Sequence, residues 1–196
     1  MNNKHIKIIV TGDGSVGKTS MLLRYTDDKF QDNYEATVFD SYSVQVRVDN
    51  VTYTLDLTDT AGQEDYDAMR PLTYSSADIF LLCFESTNPD SLENLKNKWI
   101  PEKNEKNKDK PFIIVGTKVD LRDDESKVKA LLQTTGKSPI YAADMEDMQS
   151  EFPGCIKILE CSAKSATGVK EVFDEAVRHV ILDRIMKERK RKCTIS

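Results

Sequence analysis

Residues Gly12–Thr19 read GDGSVGKT: two glycines separated by four residues, then Lys and Thr. The run before it, Ile6–Thr11 (IKIIVT), is apolar and β-branched enough for a buried strand. The run after it, Lys18–Tyr25 (KTSMLLRY), reads as the start of a helix. Strand, glycine-rich turn and helix together are the setting in which this spacing cradles phosphates. Gly12, Gly14 and Gly17 are expected to permit dihedrals and close approaches that a Cβ would block, so that successive N–H groups point inward. The helix N-terminus adds partial positive charge. Residues Gly14, Ser15, Val16, Gly17, Lys18, Thr19 and Ser20 are therefore expected to hold a nucleoside triphosphate. Lys18 reaches its β and γ phosphates, and the Thr19 hydroxyl ligates the accompanying Mg²⁺.

The 196 residues suit one domain with a substantial core. No apolar run approaches the length of a membrane span, and the N-terminal residues lack the pattern of a signal peptide. Cys83, Cys155, Cys161 and Cys193 have no zinc-type spacing, and a chain of this size needs no disulfide staples, so a reducing compartment is expected. The net charge of −5 is uneven. Residues 184–196 carry six basic residues and one acidic, leaving −10 on the other 183. That distribution argues against nucleic-acid binding over the body and assigns an acidic partner to the tail alone.

Ser41–Asp49 and Val51–Thr58 both alternate in polarity and flank Asp49-Asn50, which predicts an antiparallel hairpin at a sheet edge. Ile79–Phe84 and Phe112–Val115 are continuously apolar, as central parallel strands are. Ile156–Glu160 reads as a last strand. Asn88–Asn104 reads as a helix opened by a capping residue and Pro89, and roughly 169–190 as a final amphipathic helix. The expected fold is α/β: a doubly wound, mostly parallel six-stranded sheet with one antiparallel edge hairpin and helices on both faces. Residues 1–183 form the expected domain and 184–196 a basic tail.

Three further loops follow predicted strands. Asp59-Thr60-Ala61-Gly62-Gln63 places a carboxylate for Mg²⁺, the Gly62 N–H for a γ-phosphate, and the Gln63 amide to orient an attacking water. In Thr117-Lys118-Val119-Asp120, ionised Asp120 accepts from guanine N1–H and the 2-amino group, while adenine presents an acceptor there. The Lys118 stem lies along the base, and Ser162, Ala163 and Lys164 offer backbone N–H groups to guanine O6. Taken singly each tetrapeptide is also an ordinary polar loop. Together they point to guanine. Cys193-Thr194-Ile195-Ser196 fits a prenylation signal with Cys193 as the attachment site, and its final Ser favours farnesyl. One chain anchors marginally, and Lys187–Lys192 (KERKRK) supplies a second signal on an anionic membrane.

With these residues in view the chain resembles the Ras superfamily of small GTPases and, within it, the Rho family. The Rho-like stretches are Tyr34–Asp40 (YEATVFD), Asp59–Tyr74 (DTAGQEDYDAMRPLTY), Lys98–Glu102 (KWIPE) and Thr117–Asp124 (TKVDLRDD). The resemblance implies a GTP/GDP switch in which Thr37 ligates Mg²⁺ and meets the γ-phosphate, Phe30 packs near guanine, and Tyr34 covers the phosphates. With Thr19 and Asp59, Thr37 completes the expected metal set. Gln63, Lys18, Thr37 and Gly62 are the expected catalytic residues. Glu35-Ala36 stands where relatives often have Val-Pro, and Thr117 where the wider superfamily has Asn. An insert helix of the Rho kind is expected within 123–136, on Glu125–Gln133. No arginine lies between Asp27 and Val46, so hydrolysis is expected to be slow without an arginine-donating activator. Implied partners are exchange factors, activating proteins, a dissociation inhibitor, and actin-directed effectors such as formins or kinases. The implied state is a monomer at the cytoplasmic face of the plasma membrane, with a cytosolic pool. A GTP-bound scaffold without turnover and a P-loop ATPase or nucleotide kinase remain as alternatives.

Overall fold

The computed structural model describes residues 4–30, 37, 39–66, 69–145 and 147–194, except for the side chains of Glu64, Ala142 and Lys192–Thr194. Tyr34 and the neighbouring Glu35-Ala36 lie outside the described residues. Six strands form one sheet: β1 (His5–Gly12), β2 (Phe39–Val48), β3 (Val51–Thr60), β4 (Ile79–Glu85), β5 (Phe112–Thr117) and β6 (Cys155–Glu160), in the order β2-β3-β1-β4-β5-β6. Only β2 and β3 pair antiparallel; the other neighbours are parallel. The hairpin closes through Asp49 (φ 47°) and Asn50 (φ 63°), the left-handed pair that a two-residue turn between right-twisted strands requires.

The central strands are buried on both sides, which explains their unbroken apolar runs. Ile8 and Val10 of β1, Ile79 and Leu81 of β4, and Ile113 and Val115 of β5 pack under α1 (Lys18–Asp27) and α6 (Val169–Thr194). Ile9, Phe80, Leu82 and Ile114 face the other layer. That layer contains α2 (Pro89–Asn94), a wider π turn (Leu95–Trp99) and α3 (Ile100–Asn107). Between β5 and β6 lie α4 (Glu125–Thr135) and the short α5 (Met148–Glu151).

Two helices differ from expectation. Asn88 does not cap its helix through its side chain; instead the Ser91 hydroxyl donates to the Asn88 carbonyl at 2.6 Å. The helix expected over Asn88–Asn104 is interrupted by the π turn, in which the Ile100 N–H bonds to Leu95 O, five residues back. Pro101 comes next, lacks an N–H and crowds the preceding turn, and the wider turn accommodates it. Helix α4 occupies the expected insert segment. Asp124 caps it, accepting from the Ser126 and Lys127 amides, and Gly136 ends it at φ 67°. None of its residues is buried. The last helix crosses the expected boundary at 183/184 unbroken.

Candidate functional site

One cleft of about 570 Å³ opens at the carboxyl ends of β1, β3, β5 and β6. Its lining includes Gly14, Ser15, Gly17, Lys18, Thr19 and Ser20 from the first loop, Phe30, Thr37, Gly62 and Gln63, and Thr117, Lys118, Asp120, Ala163 and Lys164. Residues up to 150 positions apart in sequence thus meet around one space.

The phosphate loop is shaped by its neighbours. Gly12 has φ 142°, and a Cβ there would lie 2.2 Å from the Cys83 carbonyl oxygen; Gly17 has φ 97° beside the Lys118 stem. Gly14 departs from expectation: its φ is not positive and nothing lies within 4 Å of a Cβ built there. Its lack of a side chain keeps cleft space open and is not needed for the turn. Val16 points the other way. Its side chain is buried in the core, and its carbonyl accepts from the Thr117 hydroxyl. Thr117 also bonds Phe84 O at 2.8 Å, so it ties β4 and β5 to the phosphate loop.

At the phosphate end, Lys18 is 6% exposed and donates to Gly12 O at 2.8 Å and Asp13 O at 2.7 Å. The Thr19 hydroxyl donates to Asp59 Oδ2 at 2.5 Å and lies 2.8 Å from Thr37 Oγ1. Asp59 is fully buried, and its Oδ1 has no hydrogen-bond partner. Burial pushes the Asp59 carboxyl above its ordinary pKa, against the Thr19 hydrogen bond and the Lys18 charge. Burial likewise pushes the Lys18 ammonium down, against the charge of Asp59. An orphaned carboxylate oxygen beside two hydroxyls is an all-oxygen donor set of the kind Mg²⁺ takes with few protein ligands. The expected metal residues therefore converge, and they fit the ion. Gly62 lies tight against the phosphate loop: a Cβ there would sit 2.3 Å from the Asp13 carbonyl carbon and Gly14 nitrogen.

At the base end, the Ser162 hydroxyl donates to Asp120 Oδ1 at 2.5 Å and accepts from Ser165 N at 3.1 Å. This fixes the carboxylate that is expected to read guanine. The Ser162 amide bonds Thr167 O at 2.9 Å, so Ser162 works through its hydroxyl, and the amides of Ala163 and Lys164 remain for guanine O6. Arg24 Nε donates to Ala163 O at 2.7 Å and pins that loop to α1. Lys118 has φ 55°, and its ammonium pairs with Glu85 at 2.7 Å, which steers the stem.

Several supporting residues were not apparent from the sequence. Asp13 accepts from Trp99 Nε1 at 2.6 Å and Asn94 Nδ2 at 2.7 Å, tying the phosphate loop to the π-turn helix. Arg70, 3% exposed, donates to Ala61 O at 2.8 Å, forms a two-pronged pair with Glu102 at 3.0 and 2.7 Å, and lies over the Trp99 ring. Tyr74 donates to Glu102 at 2.6 Å. Two of the stretches quoted for resemblance, 59–74 and 98–102, thus meet through Arg70–Glu102. A residue-type signal existed only for Arg70 and Glu102, whose opposite charges suit a buried pair; the partner of Asp13 has none. A model of the Ras family matches residues 7–182 of the chain.

Proposed function

The chain belongs to the Ras family, and from that premise we propose that it works as a Rho-like, membrane-anchored GTP/GDP switch. As a Ras-family protein it is a small GTPase that binds guanine nucleotides with Mg²⁺. The switch reading is supported by the convergence of Thr19, Thr37 and Asp59 at one end of the cleft whose other end holds Asp120, oriented by Ser162, while the Rho-like and membrane-anchored parts rest on the quoted sequence stretches and on Cys193 with Lys187–Lys192.

Hydrolysis of GTP asks this site for position and charge rather than covalent chemistry. Lys18, already held among loop carbonyls, exchanges them for the β and γ phosphate oxygens. Thr19, Thr37 and Asp59 would hold Mg²⁺, which would supply charge neutralisation at those oxygens. The Gly62 amide meets the γ-phosphate, and Gln63, exposed at the cleft, orients the attacking water. When the γ-phosphate leaves, Thr37 and Gly62 lose a shared partner and their loops relax, which makes the site a timed switch. Thr37–Thr19 is the contact through which the loop of Thr37 senses the nucleotide. Exchange factors, activating proteins and a dissociation inhibitor are its proposed regulators, with actin-directed effectors such as formins or kinases downstream. The Cys193 lipid and the basic tail place it at the cytoplasmic face of the plasma membrane.

Side-by-side titrations with GTP and ATP, followed by phosphate release, test the assignment. GTP binding tighter than ATP binding by at least about a hundredfold, with slow release, is expected from two charge-assisted bonds at Asp120. Comparable ATP affinity would return the ATPase or kinase alternative. Tight GTP binding without release would return the scaffold. Capture of proteins by the GTP-loaded chain against the GDP-loaded chain identifies the effectors.

A further inference from the structure

Helix α6 carries a second pattern, remote from the nucleotide. No proline or glycine occurs from Val169 to Ser196, so nothing in that segment is built to end a helix, and α6 continues to Thr194. Its first half buries Val172, Phe173, Ala176, Val177 and Val180 against the sheet. At roughly 100° per residue, the opposite side of its second half presents Leu182, Ile185 and Met186, which are 52%, 40% and 55% exposed. These are large apolar side chains facing away from the core. Arg178 and Arg189 fall in phase with them and Lys190 borders them, all exposed, and Arg178 also pairs with Glu175 at 3.2 Å. On the inner side, Arg184 donates to His5 O at 2.9 Å and to Asp78 at 2.8 Å, so the helix cannot roll its stripe toward the core.

An apolar stripe bordered by cations, on a body of net charge −10, is poorly suited to a second copy of itself, since pairing would bring the cations together. It is too short and too charged to cross a bilayer: no helix among the described residues is long and apolar enough. An anionic bilayer surface matches both features, its acyl boundary taking the stripe and its headgroups the cations. We propose that the outward face of α6 around Leu182, Ile185 and Met186 is a membrane-docking surface that lies flat on anionic lipid and orients the domain. This deepens the membrane reading above and rests on it for the lipidated protein, although the surface itself needs no lipid. The stripe, not the basic tail alone, then fixes which way the domain faces.

The test is co-sedimentation of the full, unlipidated chain with phosphatidylcholine vesicles, with and without phosphatidylserine. Three proteins are compared: wild type, a Leu182→Ser, Ile185→Ser, Met186→Ser variant, and an Arg178→Gln, Arg189→Gln, Lys190→Gln variant. Bound nucleotide and thermal midpoint serve as folding controls, because all six positions are exposed. Wild type is expected to bind only the anionic vesicles. The serine variant should bind at least about tenfold more weakly with its salt dependence kept, whereas the glutamine variant should show a shallower salt dependence, since the other basic residues of the tail remain. Equal binding by the serine variant and wild type would overturn the proposal, as would equal binding to neutral vesicles. Absence of vesicle binding would overturn it too, whether or not an acidic helix-binding protein takes up the same face. With no lipid on Cys193 and no turnover in the assay, failure of either earlier expectation leaves this result readable.

Discussion

Asp120 and Gly14 show how single residues set what the cleft accepts. Asp120 is an acceptor held in place by Ser162. In Asp120→Asn the side-chain amide keeps one acceptor and gains donors, which mismatches the guanine 2-amino group and suits the carbonyl that xanthine carries there. We expect the variant to bind GTP more weakly by about 2 kcal/mol and to gain affinity for xanthosine triphosphate, as measured by competition titration. Gly14 gives the converse case, a residue the turn does not require. Gly14→Val should leave the thermal midpoint within about 2 °C, because its Cβ meets open space. Its side chain occupies the cleft beside Gln63, so single-turnover hydrolysis should fall at least tenfold, a loss of about 1.4 kcal/mol or more of transition-state stabilisation. A large drop in midpoint would show that the turn does need glycine there. The positive φ of Gly12 and Gly17 and the meeting of Lys18 and Asp120 on one cleft were legible in the sequence, because backbone sterics and hydrogen-bond polarity act through residue type. The sequence could not place the Asp13–Trp99 bond, since proximity across 86 positions is a property of the packed chain.

At the scale of elements, the helix from Pro89 to Asn107 couples stability to the site. Its π turn, forced where Pro101 cannot bond, brings Asn94 and Trp99 to Asp13. Trp99 is the only tryptophan, so exchanging GDP for a GTP analogue should change its emission, and Asp13→Ala should abolish the change in stopped-flow fluorescence. Further along, Lys103 is fully buried. Its ammonium donates to the carbonyls of Lys108 and Lys110 and lies 5.1 Å from the Phe112 ring centre. Burial pushes its pKa down to about 8, partly opposed by Asp109. Between that value and the ordinary lysine pKa, the unfolded chain binds the proton and the folded chain does not, so this group's contribution to stability rises with pH. From pH 7 to 9 the stability of wild type relative to Lys103→Met should increase by about 1 kcal/mol in urea titrations. Above pH 9 the buried thiols oppose it: Cys161 is pushed up to about 12, so ionisation favours the unfolded chain there. Alternation and apolar runs made the strands legible. The π turn was not, because it depends on how one proline disturbs the bonds of residues before it.

For the whole molecule, the sheet gathers the sites and α6 separates them. Strand order β2-β3-β1-β4-β5-β6 brings the phosphate, metal and base loops to one edge. Arg184 ties the far part of α6 to His5 and Asp78, at the amino ends of β1 and β4. The nucleotide edge and the proposed membrane face therefore lie toward opposite ends of the sheet. The order of helices and strands in the sequence foretold the nucleotide edge, since parallel strands joined by helices put their loops on one side. The outward stripe on α6 became visible only when the core stripe fixed the helix's rotation. We propose that this cleft is a slow, assisted GTP clock. Single-turnover hydrolysis of γ-labelled GTP, with wild type and Gln63→Leu side by side, tests it most directly. Wild-type release is expected on the order of 10⁻⁴ to 10⁻³ per second, accelerated strongly by an arginine-donating activator, with little release from the variant at undiminished GTP affinity. Unaided release near one per second, or equal rates for the two proteins, would contradict it.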